Sequence, residues 1–394
     1  MNVIFISPNF PDYYYNFVVA LRKKGVNVLG IGDAPYDSLN NDLKESIGEY
    51  YKVNSLEAYD DVYRAVGFFI GKYGRIDYIE SQNEYWLELE AKLRKDFNIT
   101  SGPKPNDLKP MKYKSLMKEV YIQNNIKVAP YKLIKEEKDI TSFVRKVKYP
   151  IVIKPDNGVG AVSTYKLNKR KDVNKFLETH DLKDRYIVEQ YIPGLVETFD
   201  GLTDSKKNVL ICSNHVMLDS IMDTVNDHID ISFYNHYVSD DIKEIGLKTV
   251  KAFNTKKKFF HFEFIRLSKD VPNLGNKGEL VALEVNMRAP GAFIPDMIDF
   301  AYDTSIYDLF AQMLVDDKIE DEHTQKYCIG YAGRHYDNKY AYSNQQIKMK
   351  YKDEIVLNQN VPEPLNQAMG DLVYIVKAKN EEKVKEIIEF ILEK

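Results

Sequence analysis

The sequence predicts a mixed α/β and α+β protein, with a parallel-sheet lobe at the N-terminus followed by two lobes built on antiparallel sheets. Three observations predict it. Short apolar runs alternate with helix-period segments over the first hundred or so residues, as in a parallel sheet flanked by helices. Gly and Pro gather in "SGPKPND" (101–107), the composition of a linker. Beyond residue 186, strand-like stretches follow one another with turn-rich connections, the pattern of an antiparallel sheet.

Taken in order, "VIFI" (3–6) reads as a buried strand, and Tyr13, Phe17, Ala20 and Leu21 then share one helix face. Strands are expected at 26–32 and 51–53. Tyr59, Val62, Tyr63, Val66 and Ile70 repeat at helical spacing, before a strand at 76–81 and a helix at 83–96. Past the linker come a helix over 108–124, a strand at 129–134, a short helix over 139–147 and the strand "PIVIK" (150–154). A return strand at 161–167 and a helix around 170–180 follow. Strands are then expected at 186–192, 196–203, 208–218 and 229–238, with a helix over 240–254. The stretches 258–267 and 278–287 alternate strongly and flank "SKDVPNLGNKG", so they form a hairpin. Helices follow from 293 to about 316. The tail holds the strands of "YCIGYAGRHY" and "GDLVYIVKA". A final helix carries Val384, Ile387, Ile388 and Ile391 on one side. Domain limits fall at 1–105, 106–185, 186–310 and 311–394, the last expected to pack on the third.

Composition narrows the function. The 394 residues are 44% hydrophobic, enough for substantial cores, and carry a net charge of −4. That balance argues against nucleic acid or an anionic membrane as partner. No apolar run approaches the ~18 residues of a membrane helix, and "MNVIFISPNF" lacks a basic n-region. A cytoplasmic protein is expected. Cys212 and Cys328 have no partner at metal-ligand spacing and sit in apolar runs, so both read as buried free thiols.

The chemistry gathers in the hairpin. Glu263 alternates with Phe262 and Phe264. Glu284 and Asn286 are two apart and share a strand face, with Leu283, Val285 and Met287 expected on the other. A suitable register would bring Glu263 beside them. Two carboxylates and an amide oxygen suit a hard cation such as Mg²⁺; a solvated strand face is the plainer reading of Glu263 alone, and weakens for Glu284, Asn286 and Arg288 together on one face. Arg288 continues that face, either to bind an anion shared with a metal or to pair with Glu284 or Asp296. Elsewhere, "YPIVIKPDNGVGAV" (149–162) puts Lys154 at a strand end before a glycine-bearing loop. It is neither a P-loop nor a dinucleotide fingerprint. In "YIVEQYIPGLVE" (186–197), a strand leaving its sheet exposes backbone groups able to pair with an adenine edge.

With "KYKSLMKEVYIQNNIKVAPY" (112–131) and "HFEFIRL…GELVALEVNMR", these pieces resemble, over about 110–300, an ATP-grasp enzyme of the carboxylate–amine ligase, biotin carboxylase-like or carbamoyl-phosphate synthase-like type. The preceding βα lobe resembles the pre-ATP-grasp domain of such enzymes. The resemblance implies ATP and Mg²⁺ as cofactors, with Mn²⁺ an alternative, and small-molecule carboxylate and amine substrates. It implies that Lys114 and Lys154 contact ATP, although Tyr113 stands where the family has Asp. Asn157, Gly158 and Gly160 would belong to a phosphate lid. Glu189 would open the hinge, Gln190 and Ile192 would offer backbone to adenine, and Glu197 would take the ribose. Glu263, Glu284 and Asn286 would hold metal, and Arg288 would sit at the acyl phosphate, making Arg288 and Lys154 the catalytic pair. Alternatives in view are carboxyphosphate chemistry, a kinase, and a nucleotide-binding module without catalysis.

Substrate selection is open in the sequence. His215, His228 and His236, Asp219, Asp223 and Asp227 lie in a polar stretch that reads equally as substrate contact or solvated loop, without zinc-ligand spacing. Asn9, Glu80, Asn83 and Glu84 follow the ends of N-terminal strands, where open α/β sheets place ligands. Tyr13–Tyr15 and Trp86 there read as packing. Arg334 reads equally as an anion contact or a surface residue. The final helix suits a core or a homodimer interface.

Overall fold

The structure is a computed structural model that describes residues 1–158, 163–218, 229–361, 363 and 365–394. Its first sheet comes from β1 (Asn2–Ile6), α1 (Tyr15–Lys23), β2 (Asn27–Gly32), α2 (Asn41–Ser46), β3 (Glu49–Lys52), α3 (Tyr59–Tyr73), β4 (Tyr78–Glu80) and α4 (Leu87–Asp96). The strand order is β3-β2-β1-β4, and every pairing is parallel. A parallel sheet is covered on both faces, and the strands are apolar at consecutive positions accordingly. Ile4, Ile6, Leu29 and Ile31 meet Val62, Val66 and Phe69 on one side. Val3, Phe5 and Val28 meet Phe17 and Leu21 on the other.

The next unit holds α5 (Pro105–Lys112), α6 (Lys114–Gln123), β5 (Tyr131–Ile134), α7 (Glu137–Val147), β6 (Ile151–Pro155), β7 (Tyr165–Leu167), α8 (Arg170–Thr179) and β8 (Tyr186–Gln190). Its antiparallel sheet runs β5-β8-β6-β7. Ile140, Phe143, Val173 and Phe176 pack on Ile151, Ile153 and Val188. The single helix expected over 108–124 is two helices meeting at Tyr113, and the expected linker already carries the first turn of α5.

The remaining chain forms β9 (Gly194–Thr203), β10 (Val209–Met217), β11 (Ile231–His236), α9 (Asp240–Ala252), β12 (Phe259–Leu267), β13 (Leu280–Asn286), α10 (Ile294–Tyr302), α11 (Ile306–Asp316), β14 (Cys328–Arg334), α12 (Asn344–Lys350), β15 (Ile355–Asn360), α13 (Asn366–Met369), β16 (Leu372–Ala378) and α14 (Glu381–Leu392). An antiparallel sheet of order β13-β12-β9-β10-β11-β14-β16-β15 joins them. The C-terminal strands thus extend this sheet, where the sequence reading expected a portion packed upon it. One face of the sheet, with Phe233, Phe259 and Tyr331, shares a core with α1, α10 and α11. The other, with Phe199, Phe260 and Phe262, packs on α6 and α9. Both cysteines are free, Cys328 buried and Cys212 half-buried. Among the described residues no helix is long and apolar enough to cross a membrane.

Candidate active site

Strand register fixes which side chains meet. Glu263 on β12 lies opposite Glu284 on β13 and Thr198 on β9; His261 lies opposite Asn286 and Asp200. Opposed residues share a face, so Glu263, Glu284 and Asn286 come together on the face turned toward the first sheet. One detail departs from strict alternation. Phe264 pairs with Ala282, leaving Leu283 as an extra residue, a β-bulge. Leu283 and Glu284 therefore both line the cleft, while Ala282 and Val285 stay in the core. The expectation that Leu283 faces away is corrected by that bulge.

Two lysines reach the cleft from the smaller antiparallel unit. Asp156, fully buried at the end of β6, accepts from the Ser115 amide (2.7 Å) and hydroxyl (2.9 Å), and its carbonyl accepts from the Lys114 amide at 2.8 Å. This carboxylate does the capping that Tyr113 cannot do with its own side chain, and it ties the start of α6 to the end of β6. Lys114 Nζ then lies 3.0 Å from Glu284 Oε1 and donates to the Gly158 carbonyl at 2.9 Å. Lys154 Nζ lies 3.2 Å from Glu189 Oε1. The other oxygen of Glu189 lies 3.4 Å from Lys118 Nζ, a residue the sequence reading missed. Its signal was present: Lys118 is one helical turn beyond Lys114 and shares its face.

Burial shapes the charges. It raises Glu189, but Lys118 and Lys154 outweigh it and hold the carboxyl below its usual range. Burial lowers Lys118 more than Glu189 restores it. In Glu284, burial and the neighbouring Glu263 outweigh Lys114 and push the carboxyl up. Glu263 is also raised by burial, yet the hydrogen bond from His261 brings it below its usual range. His261 Nε2 lies 3.2 Å from Glu263 Oε1 and its Nδ1 lies 2.5 Å from Asp200, whose other oxygen lies 2.9 Å from His215 Nδ1. Asp200 and His261 were not foreseen, although two-residue spacing from Glu263 places His261 on the same face. The donor set of two carboxylates and an amide oxygen, with Glu284 under-neutralised, fits a hard divalent cation. Among the described residues no group of three or more His, Cys, Asp or Glu side chains is arranged to hold a metal ion.

The cleft between the units has a volume of about 270 Å³ and is lined by Glu84, Lys114, Lys154, Glu189, Gln190, Ile192, Glu263, Glu284, Asn286 and Arg288, with Val196, Met217 and Leu283 as apolar walls. A larger open groove of about 770 Å³ around Lys127, Lys132 and Lys146 lacks any acid cluster, so chemistry, not size, marks the smaller cleft. Arg288 lies 3.1 Å from Glu84, which joins the first sheet to the site, whereas the sequence reading weighed Glu284 or Asp296 as its partner. Glu197 is a correction. It lies opposite Phe264, so it points to the other face of the sheet, where Arg266 grips it with Nε at 2.6 Å and a terminal nitrogen at 2.8 Å. It is not among the cleft-lining residues.

The remaining candidates divide. Asn157 is exposed and bridges Tyr113 by its backbone. Gly160 lies outside the described residues, as do His228, Asp219, Asp223 and Asp227. His236 Nε2 lies 3.0 Å from Glu381 on α14. Glu80 is buried against Lys258 at 2.7 Å. Arg334 is structural: its guanidinium donates to the Ile391 and Tyr342 carbonyls and covers the Tyr340 ring at 4.0 Å.

No protein-family model matches the chain. A curated D-alanine–D-alanine ligase B from Clostridium perfringens (strain 13 / Type A) is 31% identical over 83 residues, which are 21% of this chain and 28% of that protein. The chain thus spans little more than a quarter of that relative's length. Solved structures match far more of it. The L-amino acid ligase from Bacillus licheniformis superposes with a TM-score of 0.74 at 14% identity, over 98% of this chain and 96% of that one. The N5-carboxyaminoimidazole synthetase from Staphylococcus aureus gives 0.71 at 14%, over 99% and 97%. The biotin carboxylase domain of the Hydrogenobacter thermophilus 2-oxoglutarate carboxylase gives 0.68 at 14%, over 96% and 86%. At such identities the likeness is one of fold.

Proposed function

We propose that this chain, which has the ATP-grasp fold, is an ADP-forming ligase that activates a small carboxylate as an acyl phosphate for attack by an amine. The observation that carries the reading is the register of Glu263 against Glu284 beside Asn286, facing Lys114, Lys154 and Arg288 across one cleft. A carboxylate oxygen approaching a triphosphate meets like charge, and the three cations around the cleft would offset it. The oxygen forms a bond to the γ-phosphorus as the bridge to the β-phosphate breaks, releasing ADP. The amine nitrogen then attacks the acyl carbon, phosphate leaves with the C–O electron pair, and the amine gives up a proton.

Each cation is engaged without ligand. Lys114 is paired with Glu284, Lys154 with Glu189 and Arg288 with Glu84. Mg²⁺ bound by Glu263, Glu284 and Asn286 would supply charge neutralisation at the transferring phosphoryl group. It would free Lys114 for phosphate, and Lys118 would keep Glu189 neutralised when Lys154 turns away. Gln190 and Ile192 line the same cleft wall; because the Gln190 amide already donates to the Pro130 carbonyl, Gln190 would offer the base its carbonyl and Ile192 its amide.

Incubation with Mg·ATP and pools of amino acids and small carboxylic acids, with ADP and phosphate measured, tests the reading. Phosphate release that needs two co-substrates supports a ligase. ADP without free phosphate indicates a kinase, and tight ATP binding without turnover a binding module. Glu284→Gln is expected to lower turnover at least about a hundredfold while leaving the thermal unfolding midpoint unreduced. Normal turnover by that variant would refute the metal assignment.

A further inference from the structure

Behind Glu263 the large sheet buries a polar chain that crosses three strands. Asp200 on β9 and His215 on β10 are fully buried, and His261 on β12 is 7% exposed. One Asp200 oxygen accepts from the Thr198 hydroxyl at 2.5 Å and lies 2.9 Å from His215 Nδ1, while the other lies 2.5 Å from His261 Nδ1. The Thr198 hydroxyl accepts in turn from the His215 amide at 3.1 Å. The far nitrogen of His261, Nε2, lies 3.2 Å from Glu263 Oε1. None of Thr198, Asp200, His215 and His261 lines the cleft. They reach it through that one oxygen of Glu263.

An ionised carboxylate only accepts, so a ring nitrogen facing one carries the hydrogen. Both nitrogens of His261 face carboxylates, and the ring is therefore a cation that donates from each side. Asp200, anchored by side chains of two strands, fixes the ring, and the ring fixes Glu263 Oε1. The second oxygen of Glu263 has no hydrogen bond or ion pair among the described residues. Glu284 is held differently, by the long and flexible side chain of Lys114 at 3.0 Å. A metal ion bound by both oxygens of Glu263 would lie against the imidazolium and be repelled. One bound by the second oxygen alone lies farther from it. Ca²⁺ takes many oxygens and often both from one carboxylate, whereas Mg²⁺ is smaller and holds to an octahedron.

We propose that the Asp200–His261 pair positions Glu263 to ligate through one oxygen, which makes His261 a determinant of Mg²⁺ over Ca²⁺ at the metal site. The inference rests on the metal site of the ligase reading and adds its selectivity.

The test displaces Mn²⁺ from equimolar protein and a non-hydrolysable ATP analogue with Mg²⁺ or Ca²⁺, and follows the released Mn²⁺ by electron paramagnetic resonance. Comparing variants with the wild type cancels the preference of the nucleotide itself. The wild type is expected to need about tenfold more Ca²⁺ than Mg²⁺ for half-displacement. His261→Asn keeps a donor for Asp200 but falls short of Glu263, and is expected to cut that ratio at least about fivefold. His261→Gln is long enough to donate to Glu263 and is expected to hold the ratio within about twofold of wild type. A general loss of packing would lower both alike. Where His261→Asn does not melt in one cooperative transition, Asp200→Asn/His261→Leu, which removes both buried charges, is held to the same expectation. A wild type without the preference, a ratio that survives loss of the Glu263 bond, or an equal fall in His261→Gln would overturn the inference and leave the metal site standing. Mn²⁺ bound no better by wild-type protein and analogue than by the analogue alone would remove the metal site of the ligase reading and the inference with it.

Discussion

Asp296 carries its charge in a site that resists charge, and this sets a pH signature. Its carboxyl is raised from the usual 3.8 to about 6 by burial. Its contribution to stability is therefore fully present below the unfolded value near 3.8 and is lost as pH rises through 6. Asp296→Asn removes that loss. Urea unfolding should find the variant more stable than wild type by about 1–3 kcal/mol at pH 7.5, with the gain vanishing toward pH 4. A gain that is the same at both pH values would argue against burial as its cause. None of this was legible in the sequence, which offered Asp296 only as a partner for Arg288. Glu263, Glu284, Asn286 and Arg288 stood out in the sequence because two-residue spacing within a hairpin puts polar side chains on one face, Lys154 because it precedes a glycine-bearing loop, and Lys114 only through the resemblance. Lys118 and Asp200 sit inside elements, and only their neighbours across the fold give them meaning.

The hairpin β12–β13 was readable as a hairpin, but not its bulge, because one extra residue leaves composition and turn signals untouched. The cost fell on Leu283, assigned to the wrong face. Glu197 failed differently. Local motif suggested a ribose contact, while pairing with β12 sets its face: Glu197 opposes Phe264, one step out of phase with Glu263. Two assays separate these roles. Glu197→Ala is expected to leave the KM for ATP within about twofold and to destabilise the protein by about 1–3 kcal/mol, since Arg266 loses a bidentate partner but keeps some water. A tenfold rise in that KM would restore the ribose assignment. The break between α5 and α6 is also a tertiary effect, for the cap on the Ser115 amide comes from Asp156, forty-one residues on.

The first sheet does not stand apart from the rest. Phe17 and Leu21 of α1 belong to one core with Leu309, Phe310 and Met313 of α11 and with Phe259 of the large sheet. Glu80 and Glu90 meet Lys258 in a buried ion cluster across the same boundary. Residues 104–394 expressed alone should therefore bury too little of that core to stay monodisperse; a soluble, cooperatively melting product in size-exclusion and calorimetric runs would contradict this. The parallel order of the first sheet was legible from alternation with helices. The continuity of β14–β16 with the large sheet was not, because antiparallel strands distant in sequence announce no neighbour. The Arg288–Glu84 pair joins residues 204 positions apart, and it has a consequence for biosynthesis. A nascent chain can complete its first sheet and both cleft lysines while Glu284, Asn286 and Arg288 are still inside the ribosome. Domains fold in order of emergence, so under the proposed ligase function early folding would not yield a half-built enzyme that wastes ATP. On that proposal, activity would wait until the acidic hairpin is out and can close on what was made before it.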